Sequence, residues 1–66
     1  MPKSVIDVRQ LRRSLNMSQT EFADKFGIGL TTLQGWEQGR RSPNGATRVL
    51  LNLIARSPDL VEEALR

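Results

Sequence analysis

Residues 17–43 read MSQTEFADKFGIGLTTLQGWEQGRRSP, and this stretch decides the fold. It predicts two short helices joined by a tight turn, then an arginine pair and a proline. Ser18 is placed to cap the first helix, and Glu21, three residues later, to cap back. Met17 and Phe22 stand at the spacing of a hydrophobic staple. Gly27 stops the helix, because a left-handed backbone ends a helix cheaply only at a residue that tolerates it. Ile28 drops an apolar side chain into the turn. The second helix runs from about Leu30, with Leu33 and Trp36 on one face, and Gly39 ends it. Helix, short turn, helix in a small basic chain is the layout that places one helix in a DNA major groove.

Working outward, the rest of the chain also reads as helix, giving an all-α fold of five helices in one domain spanning residues 1–66. The first is expected over about 8–15, capped by Asp7 with Gln10 three residues on; Ser4 is a second possible cap. The next two cover about 19–26 and 30–38. Pro43 blocks helix continuation and Asn44 is placed to cap a fourth helix over about 45–56. Ser57-Pro58 breaks that helix, and a fifth follows over about 59–65. In the fourth, Ala46, Val49, Leu50, Leu53 and Ile54 form a wide apolar stripe. The expected core is Leu11, Leu15, Met17, Phe22, Ala23, Phe26, Ile28, Leu33, Trp36, Leu50, Leu53 and Ile54. Leu51 falls off the stripe. With Leu60, Val61 and Leu65 it makes surplus apolar surface, expected to form a two-fold interface in a homodimer.

Sixty-six residues lie near the lower limit for folding alone, which also favours pairing. The chain has no cysteine and no histidine, so disulfides, cysteine nucleophiles and the usual zinc sites are excluded. No glycine-rich phosphate loop, tyrosine or carboxylate cluster supports an enzyme, and no cofactor is implied. No apolar run is long enough to span a membrane, and no signal peptide is visible, so a cytoplasmic location is expected. Net charge is +3, unevenly spread. Residues 1–56 hold nine Lys/Arg against four Asp/Glu, whereas residues 57–66 hold Arg66 against Asp59, Glu62 and Glu63. A basic body with an acidic end fits a polyanion-binding face set apart from another surface.

The candidate site residues follow. Gln19 stands in the first turn of the second helix, where unpaired amides and the helix dipole suit a phosphate; Asn16 is just upstream. Arg40, Arg41 and Arg48, with Gln38, are the expected phosphate clamp. The reading face of the third helix is expected to present Gly29, Leu30, Thr31, Gln34 and Gly35. It lacks Arg, Lys and Asn, so Gln34 is its one side chain able to bond adenine bidentately, while Leu30 and Thr31 suit a thymine methyl. Gly35 costs about 1 kcal/mol against alanine inside a helix, which close backbone approach to DNA would explain. Such a face shifts part of recognition to backbone and shape.

Ser18, Gln19, Ala23, Gly27 and the run Trp36-Glu37-Gln38-Gly39-Arg40-Arg41 resemble the helix-turn-helix of phage-repressor/Cro-type regulators. From Arg9 to about Pro58 the chain also resembles the regulator domain of bacterial HigA-like antitoxins, on the WEQGRRSP run and Val49-Leu50-Leu51. The resemblance implies that Gln19 anchors the DNA backbone and that Leu30, Thr31, Gln34 and Gly35 lie where the family touches bases. It also implies that Glu37 pairs internally with Arg12, tying the first helix to the third. The implied function is a dimeric, sequence-specific repressor of its own toxin–antitoxin-type operon, bound to a two-fold site on double-stranded DNA. The alternative is an antitoxin that acts mainly by neutralising a partner toxin protein. Little lies outside the five helices to serve as a neutralising arm, which leaves two options: a regulator without such an arm, or the DNA-binding piece of a longer protein.

Overall fold

A computed structural model describes residues 7–65, and five helices account for most of them: α1 (Val8–Ser14), α2 (Gln19–Phe26), α3 (Leu30–Glu37), α4 (Gly45–Arg56) and α5 (Pro58–Ala64). Ser4 lies outside the described residues; Asp7 caps α1, its carboxylate accepting from the Gln10 amide at 3.1 Å. Ser18 and Glu21 form the reciprocal capping box on α2, with Ser18 Oγ accepting from the Glu21 amide and Glu21 Oε1 from the Ser18 amide. These bonds, with the one to the Ser18 backbone foremost, hold the Glu21 carboxyl below the usual carboxylate range. Gly27 takes the left-handed conformation (φ 69°) that turns the chain toward α3. Asn16 does the same between α1 and α2 (φ 58°), a conformation that asparagine tolerates better than most side chains.

The ends of α1, α3 and α5 differ from expectation by one residue, and Leu15 is the C-cap of α1 rather than its last residue. Gln38 is the C-cap of α3 rather than its last residue. Pro58 is the first residue of α5 rather than a break before it, since proline's missing amide costs nothing in the first turn.

Among the described residues the core is small and apolar. Phe22, Phe26, Leu33, Leu51 and Ile54 are fully buried, with Val8 and Ala23 nearly so. The Phe22 and Phe26 rings sit 5.0 Å apart at a 60° tilt, a favourable edge-on arrangement. Leu11, Leu15, Met17, Ile28, Trp36, Leu50 and Val61 pack around this centre as half-buried residues. Two expectations on α4 are corrected. Leu51 is buried within the protomer and not on an interface, and Leu53 is half exposed and not in the core. The apolar surface of α4 holds two adjacent rows. The buried one runs through Thr47, Leu50, Leu51 and Ile54. The row through Val49 and Leu53 is left in solvent, at 60% and 50% exposure.

One ion pair fastens α1 to α3. Arg12 donates from Nε to Glu37 Oε2 at 2.7 Å and from Nη2 to Oε1 at 3.0 Å, a two-pronged contact. Its Nη1 donates to the Met17 carbonyl at 3.0 Å, so the same guanidinium also holds the α1–α2 turn. The Glu37 side chain is 1% exposed and that of Arg12 13%. The pairing that the resemblance implied is therefore present and desolvated. Arg12 holds the Glu37 carboxyl below the usual carboxylate range, against the opposite push of burial, and Gln19 and Arg9 help. A second pair, Lys25 Nζ to Glu62 Oε2 at 3.3 Å, bridges α2 and α5 at the surface, where such pairs contribute little.

Breaking a buried pair by removing one partner costs about 3–5 kcal/mol. A chain this size has a total stability of about 3–10 kcal/mol, from about 0.05–0.15 kcal/mol per residue. Glu37→Gln and Arg12→Met are each expected to remove most of the folding free energy in denaturant melts. The pH dependence follows from the lowered Glu37 carboxyl. Its contribution is fully present above the unfolded value of about 4.3. It is lost as pH falls through the lower folded value. Melting temperature should thus hold from neutral pH to about 5 and fall below about 4, and Glu37→Gln should flatten that acid limb.

Candidate nucleic-acid interface

The α2–turn–α3 unit presents one end of α2 and one face of α3 together. Leu30 and Thr31 open α3 and are exposed, Leu30 by 40%. Gln34 lies one turn on and is half-buried. It is not isolated: Gln34 Nε2 donates to Gln19 Oε1 at 3.4 Å, and Gln19 Nε2 donates to Glu37 Oε1 at 3.2 Å. Gln19, Gln34, Glu37 and Arg12 thus form one connected polar network. Gln19 retains one N–H and its backbone amide at the start of α2 for a further acceptor.

Arg9 belongs to this network and escaped the sequence reading. Its Nη2 donates to the Glu37 carbonyl at 3.3 Å, and its Nε lies 3.5 Å from Glu37 Oε1. A cation beside the last carbonyls of α3 complements the helix dipole. The signal was Arg9 and Arg12 at i, i+3 on one short helix, a spacing that puts both on the same face. With both arginines on Glu37, the acid leaves no uncompensated negative charge on this side of the molecule.

Gly35 is corrected. It is buried, not on the reading face. A methyl group built there would meet Cγ and Cδ of Arg41, both at 3.1 Å. The close approach that Gly35 permits is that of the protein's own Arg41 stem across α3. The backbone reinforces it, since the Arg40 and Arg41 amides both donate to the Gly35 carbonyl, at 2.9 and 3.1 Å. Gly39, left-handed at φ 77°, makes that tight return possible. Arg40, Arg41, Arg48, Gln38 and Asn16 are all exposed. Arg41 also lines a cleft with Thr32, Trp36, Ser42, Asn44 and Thr47, between α3 and the start of α4. Arg48 stands in the first turns of α4, behind the Asn44 cap.

The apolar surplus lies elsewhere. Leu60 (66%) and Leu65 are exposed and Val61 half-buried; with Leu50, Leu53 and Ala64 they line an open groove of about 400 Å³ between α4 and α5. Among the described residues no cluster of acidic side chains is arranged to hold a metal ion, and no helix is long and apolar enough to cross a membrane.

Comparison with known proteins agrees with this geometry. A family model described as helix-turn-helix matches residues 8–51, from α1 into α4. The antitoxin HigA-2 of Vibrio cholerae is 40% identical over 53 residues, covering 80% of this chain and 51% of that protein. The antitoxin MqsA of Escherichia coli is 30% identical over 54 residues, covering 82% of this chain and 41% of its own. The E. coli HTH-type transcriptional regulator YiaG is 27% identical over 62 residues, covering 94% and 65%. This chain spans only about 41–65% of the length of these curated relatives. A crystal structure of an XRE-family-like helix-turn-helix protein from Agrobacterium tumefaciens superimposes with a TM-score of 0.89 at 40% identity, covering 91% of this chain and 97% of that one. Matched along most of its length by sequence and by backbone, the chain belongs to the XRE-type helix-turn-helix family of DNA-binding regulators.

Proposed function

We propose that this domain is a sequence-specific transcriptional repressor that binds a two-fold operator as a homodimer and controls its own toxin–antitoxin-type operon. The observation that supports it most is the α2–α3 unit. Leu30, Thr31 and Gln34 share the outer side of a helix flanked by phosphate-binding candidates at both ends: exposed Asn16 and half-buried Gln19 before it, exposed Gln38, Arg40 and Arg41 after it. In this reading α3 lies in the major groove, Leu30 and Thr31 touch thymine methyl groups, and Gln34 bonds adenine. Arg48 adds a contact from α4. Gly35 serves the interface indirectly, by seating Arg41. Selection of bound duplexes from random DNA tests the whole reading; enrichment of no motif would sink it.

A second reading has a specific observation behind it. HigA-2 and MqsA both carry the name antitoxin. Neutralisation of a partner toxin is compatible with repression, and co-purification with the product of a neighbouring reading frame, followed by a growth-rescue assay, tests it.

Dimerisation is assigned to the α4–α5 groove. Leu60 and Leu65, with Leu53 in place of the buried Leu51, offer the apolar area that a protomer this small leaves uncovered. Two copies of α3 on one operator should read half-sites about 34 Å apart, one helical turn. Leu60→Glu, at a position already in solvent, should leave the melting temperature within a few degrees. It should also convert the two-half-site footprint into weak single-half-site binding, with a monomer in sedimentation. An unchanged footprint would remove α5 from the interface.

Salt dependence tests the clamp. Arg40, Arg41 and Arg48 give six cationic contacts per dimer, hence a log–log slope of affinity on salt of about −5. Arg40→Ala on both protomers should flatten it by about 2 and weaken every duplex alike. A slope near zero would rule out the clamp.

Gly35→Ala separates the two roles of that glycine. Alanine should gain up to about 1 kcal/mol of helix propensity, and the flexible Arg41 stem yields by a few tenths of an ångström. The variant should melt no lower than the parent. It should nonetheless bind all duplexes more weakly, because Arg41 is displaced, with base preferences intact. A loss confined to one base pair would instead mean that Gly35 itself approaches the DNA.

A further inference from the structure

We infer that Glu37, buried and unable to touch DNA, sets which base Gln34 reads, acting through Gln19. The inference rests on α3 being the DNA-reading helix. A carboxylate only accepts hydrogen bonds. Glu37 is held in that charged form by Arg12, below the usual carboxylate range. The side chain of Gln19 that reaches Glu37 must therefore present its NH2 group, which leaves its Oε1 facing Gln34. Gln34 must answer with an N–H. The direction of the whole chain of amides is thus dictated by one charge, although the amide atoms alone would be interchangeable.

The consequence is chemical. Gln34 arrives at the groove with one N–H committed to Gln19. It has one N–H and its Oε1 left to offer. That is the donor–acceptor pair that the adenine edge takes, through N7 and the N6 amino group. Guanine presents two acceptors, N7 and O6. To serve them, the Gln34 amide would have to turn over and set its own oxygen against Gln19 Oε1, acceptor against acceptor, in a half-buried position. The tether penalises guanine and pre-orients Gln34 for adenine. Gln19 is thus a positioning residue for base choice, in addition to its proposed place at a phosphate.

The test is the ratio of affinities for operator duplexes that differ only by A·T or G·C at the Gln34 position. Weaker phosphate binding lowers both affinities and leaves the ratio unchanged. A bidentate amide–adenine contact discriminates by about 5- to 150-fold. Gln19→Met keeps the length of the side chain and removes both polar ends. It should lower the A-over-G ratio several-fold, whereas Gln34→Ala should bring it to within about 2-fold of unity. If Gln34→Ala abolishes the ratio and Gln19→Met preserves it, the tether is overturned while the reading helix stands. If Gln34→Ala also preserves the ratio, the base-reading assignment itself has failed. A second measurement needs no DNA. In the free parent protein the side-chain amide protons of Gln34 should exchange with solvent more slowly than those of the exposed Gln38, and in Gln19→Met they should exchange as fast. Equal rates in the parent would overturn the proposal.

Discussion

Glu37 is the point on which the rest of the molecule turns. It is the last residue of α3, a full charge almost wholly withdrawn from water, and it is tolerable only because Arg12 meets both its oxygens. Desolvating two ions is expensive, and a pair of apolar residues would often hold two helices at least as well. What the pair supplies and a methionine–leucine contact does not is direction. A bidentate guanidinium–carboxylate contact fixes the rotation of α3 about its own axis and its register against α1. In the proposed reading, a helix that presents Leu30, Thr31 and Gln34 along one line has more use for that precision than for extra stability.

The network extends the same logic outward. Arg12 reaches the Met17 carbonyl, Arg9 reaches the final carbonyl of α3, and Gln19 connects Glu37 to Gln34. Among the described residues no buried side-chain polar atom lacks a hydrogen-bond partner. A fully satisfied polar cluster rigidifies its surroundings, whereas a half-satisfied one destabilises them. This cluster shares the orienting of α3 with the apolar core, since the buried Glu37 side chain lies one turn beyond Leu33 on the same inward face.

How much of this was legible in the sequence depended on range. Capping signals are local, so Asp7, Ser18 with Glu21, and Asn44 placed the starts of α1, α2 and α4, and Gly27 placed the end of α2. The Glu37–Arg12 pair came through the family resemblance alone; twenty-five residues separate the partners and no spacing rule spans that distance. On α4 the apolar residues were visible but their facing was not. Val49, Leu50, Leu51, Leu53 and Ile54 populate two adjacent rows about 100° apart, and a helix can turn about its axis to bury either. The packing of α5 decides between them, which is a tertiary choice. Gly35 failed for a related reason. Its cost as a helix residue was plain, but the group that comes close to it is Arg41, folded back by the Gly39 turn.

The same facts separate affinity from specificity. The exposed arginines at 40, 41 and 48 sit on the α3–α4 turn and on α4, Arg41 with its stem packed across Gly35. Charge of that kind attracts all duplexes equally. The reading face is sparse by comparison: two short apolar or hydroxyl side chains and one amide. In the proposed reading, with so few groups, how firmly each is held and the shape of the DNA matter more than the number of base contacts. A free glutamine amide turns over at little cost. A glutamine anchored through a second glutamine to a buried charge does not. In the proposed reading, one ion pair placed behind α3 gives a single amide a fixed polarity, which adds to the selectivity of its own chemistry.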